Sequence, residues 1–179
     1  MLEKKKILRK IIKVRVSAIS AEEKAKREKL LLDNLFSMPE FLAANTVMLF
    51  ANLPDEIGTF SLIDKCIAMG KKVFLPVING DDMTACEFKG EYKIGKYDIK
   101  EPLTPLSSLL TPHSVDFILV PGVAFSPNGY RLGRGKGYYD KFLSKYTNLF
   151  TVGVCFREQF YLDIPTEPHD IPMQRVIVC

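Results

Sequence analysis

The stretch "TVMLFANLPDEIGTFSLIDKCIAMGKKVFLPVI", residues 46–78, changes its hydrophobic pattern twice. Residues 46–51 form a short apolar run of strand type, and "NLPDEIG" follows as a loop. Thr59 stands where an N-cap is needed for the helix "FSLIDKCIAM", and Gly70 ends that helix with Lys71 and Lys72 behind it. "KVFLPVI" is again a strand. Strand, helix and strand joined by short connections make a βαβ unit, so the spacing predicts a parallel sheet.

Upstream, Ile7, Leu8, Ile11, Ile12 and Val14 recur at helical spacing over residues 3–16, with lysines and arginines between them. This is a short amphipathic basic helix. Ser20 followed by Glu23 matches a capping box opening a second helix through about residue 36, and "MPEFLAAN" adds one more helical turn. Downstream, "MTACEF" reads as an edge strand and residues 89–113 as mostly loop. "VDFILVPG" is a fully buried central strand, "GYYDKFLSKY" a helix, and "LFTVGVCF" and "QRVIVC" are two last strands. The expected architecture is a three-layer α/β/α sandwich with a largely parallel, Rossmann-like sheet, in one domain spanning residues 1–179. Ligands of such sheets sit beyond the carboxyl ends of the strands, where loops 52–58 and 121–137 both emerge.

Composition narrows the function less than the fold. The 179 residues are 47% hydrophobic and 26% charged, with a formal charge of +4, a mild excess for a nucleic-acid binder. Cys66, Cys86, Cys155 and Cys179 stand far apart, and only His113 and His169 accompany them, which argues against a zinc site. Cys155 lies inside an apolar strand and reads as buried and inert. With neither a secretory pattern nor an apolar run of bilayer length, the expectation is a cytoplasmic monomer with reduced thiols and no membrane or nucleic-acid partner.

The informative stretch is "PGVAFSPNGYRLGRGKGYYDKFL", residues 121–143. Glycines let the backbone approach a ligand and point successive N–H groups at phosphate oxygens. Arg131, Arg134 and Lys136 supply charge, and a helix starting near Gly137 adds its positive end. Neither standard motif is present: Gly137 replaces the Ser or Thr of a Walker loop, and "GRGKG" is G-x-G-x-G. A solvated basic loop is the competing reading.

At this length the stretch resembles a known signature. Residues 116–143, "DFILVPGVAFSPNGYRLGRGKGYYDKFL", resemble that of the 5-formyltetrahydrofolate cyclo-ligases, also called methenyltetrahydrofolate synthetases. "KKILR", "PDEIGT", "GKKVFLPVI", "IKEP" and "EQFYLDIPTEPHDIPMQRVIV" agree in order and spacing. Ser126 departs from the Asp common after "AF".

The resemblance implies an enzyme that uses ATP and Mg²⁺ to close 5-formyltetrahydrofolate into 5,10-methenyltetrahydrofolate through a phosphorylated formyl group. It places Lys5, Arg9, Arg131, Leu132, Gly133, Arg134, Gly135, Lys136, Gly137, Tyr138 and Tyr139 around ATP. Arg134 and Lys136 would be catalytic. The folate would meet Ala51, Glu56, Arg134, Gly135, Lys136, Gly137 and Tyr138, with Phe50 as a further flat surface. Asp140 and Asp170 would hold Mg²⁺, with His169 a structural neighbour. Two alternatives keep the same basic loop: a nucleotide-binding relative that has lost turnover, and a single-stranded RNA binder. Glu56, Asp140 and Asp170 on the same face oppose the second.

Overall fold

The computed structural model describes residues 2–95, 100–103, 115–146 and 148–179. Its core is a six-stranded sheet of β1 (Thr46–Met48), β2 (Lys72–Asn79), β3 (Asp82–Glu87), β6 (Phe117–Val120), β9 (Phe150–Cys155) and β10 (Arg175–Val178). The order is β10-β9-β6-β1-β2-β3, and every neighbouring pair is parallel except the hairpin that sets β3 against β2 at the edge. The parallel sheet expected from residues 46–78 is therefore present, and "MTACEF" is its antiparallel edge.

Side-chain alternation along the strands distributes the helices. Val47, Val73, Leu75, Phe117, Leu119 and Val152 point to one face, where they meet α1 (Leu2–Ser17), α2 (Ala21–Phe36), α3 (Pro39–Ala43) and α4 (Phe60–Ala68). Met48, Phe74, Ile118 and Val120 point to the other, against Phe142 and Leu143 of α5 (Tyr138–Lys145). Among the described residues the sandwich is thus lopsided, four helices against one.

From β1 the chain moves through α4 to β2, whereas from β6 it moves through α5 on the opposite face to β9. The winding reverses between the adjacent strands β1 and β6, so their following loops part and leave a crevice at the carboxyl edge. Pro76 widens it. Pairing of β2 with β1 stops at Phe74, and a proline with no N–H to donate follows where β1 has already turned away.

Several local expectations change. Gly70 (φ 76°) ends α4 as read, with its N–H bonded to Ile67 O and Lys71 N–H to Cys66 O. Thr59 occupies the N-cap position of α4, its carbonyl accepting from Ile63 N–H (2.9 Å), but its side chain makes no capping bond. Its buried hydroxyl bonds Phe50 O, tying the helix entrance to the end of β1, while its own N–H donates to Asn52 Oδ1 (3.0 Å). The capping box at α2 is half formed: Glu23 N–H donates to Ser20 Oγ (3.2 Å), but the Glu23 carboxylate turns to Arg27 Nε (2.9 Å). Residues 89–113, read as loop, contain a hairpin of β4 (Tyr92–Ile94) and β5 (Lys100–Pro102). Lys100 lies 4.3 Å from the ring centres of both Phe60 and Tyr92, fastening that hairpin to α4. Residues 96–99 and 104–114, with Ile99 of "IKEP" and His113, lie outside the described residues.

Candidate active site

The glycine-rich stretch begins as a second small hairpin, β7 (Ala124–Phe125) paired with β8 (Arg131–Leu132). Its turn needs Gly129: φ is 80°, and a Cβ there would collide with the carbonyl of Met173, whose N–H in turn bonds Gly129 O (2.8 Å). Beneath the hairpin, the fully buried Phe125 ring lies against Gly122 and Gly153, where no Cβ would fit. Phe125 pairs directly with Arg131, so this seat fixes the arginine's height above the sheet. Beyond β8 the chain runs exposed through residues 134–137 to Gly137, which caps α5 in the left-handed conformation (φ 67°).

Between this stretch and the ends of β1, β2 and β6 lies a cavity of about 420 Å³. Phe50, Pro76, Ile78, Met83, Pro121 and Tyr138 give it apolar walls. Its polar rim is Glu56, Arg131, Arg134, Lys136 and Asp140, with Ala51, Gly133 and Gly137 contributing backbone surface. A flat ring with polar edges suits such a space.

Both arginines of the rim are already paired. Arg134 donates to Asp55 Oδ1 (2.7 Å) and Oδ2 (3.1 Å) and to Glu56 Oε1 (2.9 Å), joining the two loops. The other Glu56 oxygen accepts from Leu53 N–H (2.8 Å). Burial pushes the Glu56 carboxyl above the usual carboxylate range, and Arg134 opposes that rise without cancelling it. Arg131, nearly enclosed, donates to Asp140 Oδ2 (2.9 Å) and lies over the Tyr139 ring (5.3 Å). Its Nε is buried with no hydrogen-bond partner among the described residues. A buried guanidinium N–H without an acceptor is costly and suits an incoming anion.

Lys5 is buried despite its place on a basic helix. Its ammonium meets Glu167 Oε2 (2.7 Å) and Asp170 Oδ2 (3.3 Å). Burial works against that charge, but the two acids outweigh it and hold the Lys5 pKa above the ordinary lysine value. One turn on, Arg9 Nε donates to Gly133 O (2.8 Å), fastening α1 to the glycine-rich stretch. Asp140 and Asp170 are neighbours through Ile171, whose N–H approaches Asp140 Oδ1 at 3.5 Å. These oxygen donors fit a hard divalent cation, provided Arg131 and Lys5 turn to a phosphate chain. Glu167, His169 and Asp170 bring donor atoms within 4.8 Å of one another, and Lys5 lies against its two acids.

The structure therefore gathers Ala51, Glu56, Arg131, Gly133, Arg134, Lys136, Gly137, Tyr138, Tyr139 and Asp140 around one cavity. Leu132 is buried beneath it, and exposed Gly135 (φ 104°) lies beside the Arg9 guanidinium. Lys5, Arg9 and Asp170 stand at the flank rather than in the wall. Asp55 and Glu167 were not singled out by the sequence reading. Both are acids that hold a site cation, and the only signal was their adjacency to Glu56 in "PDE" and to Asp170 in "EPHD".

Comparison with known proteins identifies the family and the fold. The family model described as "5-formyltetrahydrofolate cyclo-ligase family" matches residues 1–179. The chain belongs to that family of enzymes. It is 31% identical to a probable 5-formyltetrahydrofolate cyclo-ligase of Caenorhabditis elegans, over 98% of this chain and 92% of the relative. It is 28% identical to the cyclo-ligase of Escherichia coli K12, over 93% and 96% respectively. Among solved structures, it resembles the 5,10-methenyltetrahydrofolate synthetase of Aquifex aeolicus, with a TM-score of 0.86, 32% identity, and coverage of 97% of this chain and 89% of that one. The Mycoplasma pneumoniae synthetase shares the fold, with a TM-score of 0.78 at 22% identity. Among the described residues no helix is long and apolar enough to cross a membrane.

Proposed function

We propose that this cyclo-ligase family member converts 5-formyltetrahydrofolate to 5,10-methenyltetrahydrofolate at the 420 Å³ cavity, consuming ATP with Mg²⁺. The observation that carries this reading is one apolar cavity whose rim places the buried carboxylate Glu56 beside the cations of a glycine-rich stretch. Glu56 can accept paired hydrogen bonds from an amino-pyrimidine edge, while Phe50 and Tyr138 flank the ring. Arg131, Arg134 and Lys136, with Lys5 and Arg9 at the flank, face a phosphate chain, and the unpartnered Arg131 Nε supplies a ready donor.

A formamide carbon is a poor electrophile because its oxygen leaves badly. The formyl oxygen therefore attacks the γ-phosphorus, an O–P bond forms, the bond to the ADP oxygen breaks, and an imidate phosphate results. The neighbouring folate amine then attacks the carbon and loses its proton, and the C–O bond breaks as inorganic phosphate departs. Catalysis of the first step is positioning and charge neutralisation, the work of Arg134 and Lys136. Asp140 and Asp170 would hold Mg²⁺, which supplies further positive charge to the phosphoryl group. The buried, unpaired state of all four cysteines supports a reducing, cytoplasmic setting, and we take the working form to be the monomer.

The test mixes purified protein with 5-formyltetrahydrofolate, ATP and Mg²⁺, omitting each in turn. Methenyl product, followed by its absorbance, and ADP should appear in equal amounts only in the complete mixture. Rapid ADP release without folate, with no change in folate absorbance, would overturn the reading.

A further inference from the structure

Asp55 has no role in the chemistry above, yet it makes two of the three hydrogen bonds that hold Arg134. Arg134 lines both the main cavity and a second one of about 170 Å³, which Arg9, Lys13, Asp55 and Gln159 also border. The same guanidinium thus closes one side of the cavity proposed for the folate and belongs to the cation set proposed for the phosphates. Its contacts to Asp55 and Glu56 occupy three of its five N–H groups, both of those on Nη2 among them, so a phosphate chain competes with the two acids for the fork.

Resting on the proposed nucleotide and folate sites, we infer that Asp55 is a positioning residue that parks Arg134 across the two loops. Nucleotide and folate then bind with positive coupling. The two acids left behind when Arg134 swings to the phosphates are not equivalent. Asp55 is substantially exposed and water can solvate it, whereas the Glu56 side chain is only 9% exposed and would retain Leu53 N–H alone. Nucleotide binding by itself leaves a buried carboxylate short of donors, and an amino-pyrimidine edge supplies them. Folate binding by itself meets a Glu56 oxygen already occupied by Arg134, and phosphates remove that competitor. Each ligand favours the swung state, so each strengthens the other.

Parking sets the size of the effect. An exposed but bidentate arginine–carboxylate contact biases the parked state by a factor of about five. Replacing Asp55 by Asn removes that bias, so the variant should bind either ligand alone more tightly and show less coupling.

Isothermal titration calorimetry with a non-hydrolysable ATP analogue, Mg²⁺ and 5-formyltetrahydrofolate measures this directly on the full chain. In the wild type, saturating folate should tighten the analogue about fivefold or more. In Asp55→Asn the analogue alone should bind up to about fivefold tighter, with the folate-dependent gain reduced correspondingly. Asp55→Glu, which keeps the charge, should restore the wild-type gain, and melting curves confirm that all three proteins are folded. A wild-type gain of one, or an unchanged gain in Asp55→Asn, overturns the inference while leaving the proposed reaction standing. So does weaker binding of both ligands in Asp55→Asn, the mark of a merely structural loop acid. Absence of all ligand binding by the wild type would overturn the proposed function, and the coupling with it.

Discussion

Gly153→Ala tests whether the seat of Phe125 governs both stability and the arginine above it. A Cβ on Gly153 would stand 2.7 Å from Phe125 Cδ1 and 2.9 Å from Cζ, and closer still to Cε1. Ordinary carbon contacts need about 3.5 Å, so the ring must retreat by roughly 1 Å. Its other edge is also closely packed, since Gly122 lies so near that a Cβ there would stand 2.7 Å from Cε2. Phe125 is fully buried, and overpacking of this kind costs about 2–3 kcal/mol. For a chain of this size that is a fall in melting temperature of about 5–10 °C.

The displacement also reaches the site, because Phe125 pairs with Arg131 in the β7–β8 hairpin. The variant should therefore need more ATP for half-maximal rate even well below its melting point. Phe125→Leu alone opens a cavity and destabilises by about 1–2 kcal/mol, but in the Gly153→Ala background it relieves the clash. The double variant should accordingly be more stable than the sum of the singles by about 1 kcal/mol or more. Thermal and urea unfolding of the four proteins close the cycle. A Gly153→Ala protein melting within about 1 °C of wild type, or strictly additive effects, would refute the argument.

Three further outcomes follow from named contacts. Arg134→Ala or Lys136→Ala should each lower turnover on the order of a hundredfold by removing charge from the transferring phosphoryl group, with near-normal rates in both excluding a catalytic role. Asp140→Asn should raise the Mg²⁺ concentration needed for half-maximal rate and also lower the melting temperature, because it strips an enclosed arginine of its carboxylate; unchanged Mg²⁺ dependence would remove Asp140 from the metal site. Glu158→Gln should cost about 1 kcal/mol at pH 7, since Arg27 donates two hydrogen bonds to that carboxylate. Hydrogen bonding to Arg27 holds the Glu158 carboxyl below its ordinary value, so its contribution is present above about pH 4.5 and fades as pH falls through the depressed value. The stability gap between variant and wild type should therefore close in acid, and a gap independent of pH would contradict the ion pair.

The sheet was legible because burial on both faces writes long apolar runs, and "TVMLF", "KVFLPVI" and "DFILV" carry them without interruption. Gly70 was legible for a local reason, since only a left-handed residue closes α4 as it closes. The hairpins β4–β5 and β7–β8 were not, because strands of two or three residues have no period to read. Thr59 misled for a tertiary reason: the carbonyl at the end of β1 competes for its hydroxyl and wins. Site residues that sit within the glycine-rich stretch announced themselves by composition. Asp55 and Glu167 did not, for their importance lies in which cation each faces across the fold.

Those facing pairs explain how the cations proposed to bind a polyphosphate are stabilised without one. Lys5 is held by Glu167 and Asp170, Arg131 by Asp140, and Arg134 by Asp55 and Glu56, so the cluster neutralises itself. A bare set of buried cations would repel one another and lose hydration without return. Lys136 is the exception among the loop's cations: exposed, and in no ion pair among the described residues, it keeps its hydration. Ligand binding is then an exchange of partners rather than the filling of a charged hole. Under the proposed function, phosphates would take the cations, and a divalent ion and the folate's N–H groups would take the acids left behind. Any one ligand leaves half of that exchange undone, so the arrangement favours the complete set of substrates over each component alone.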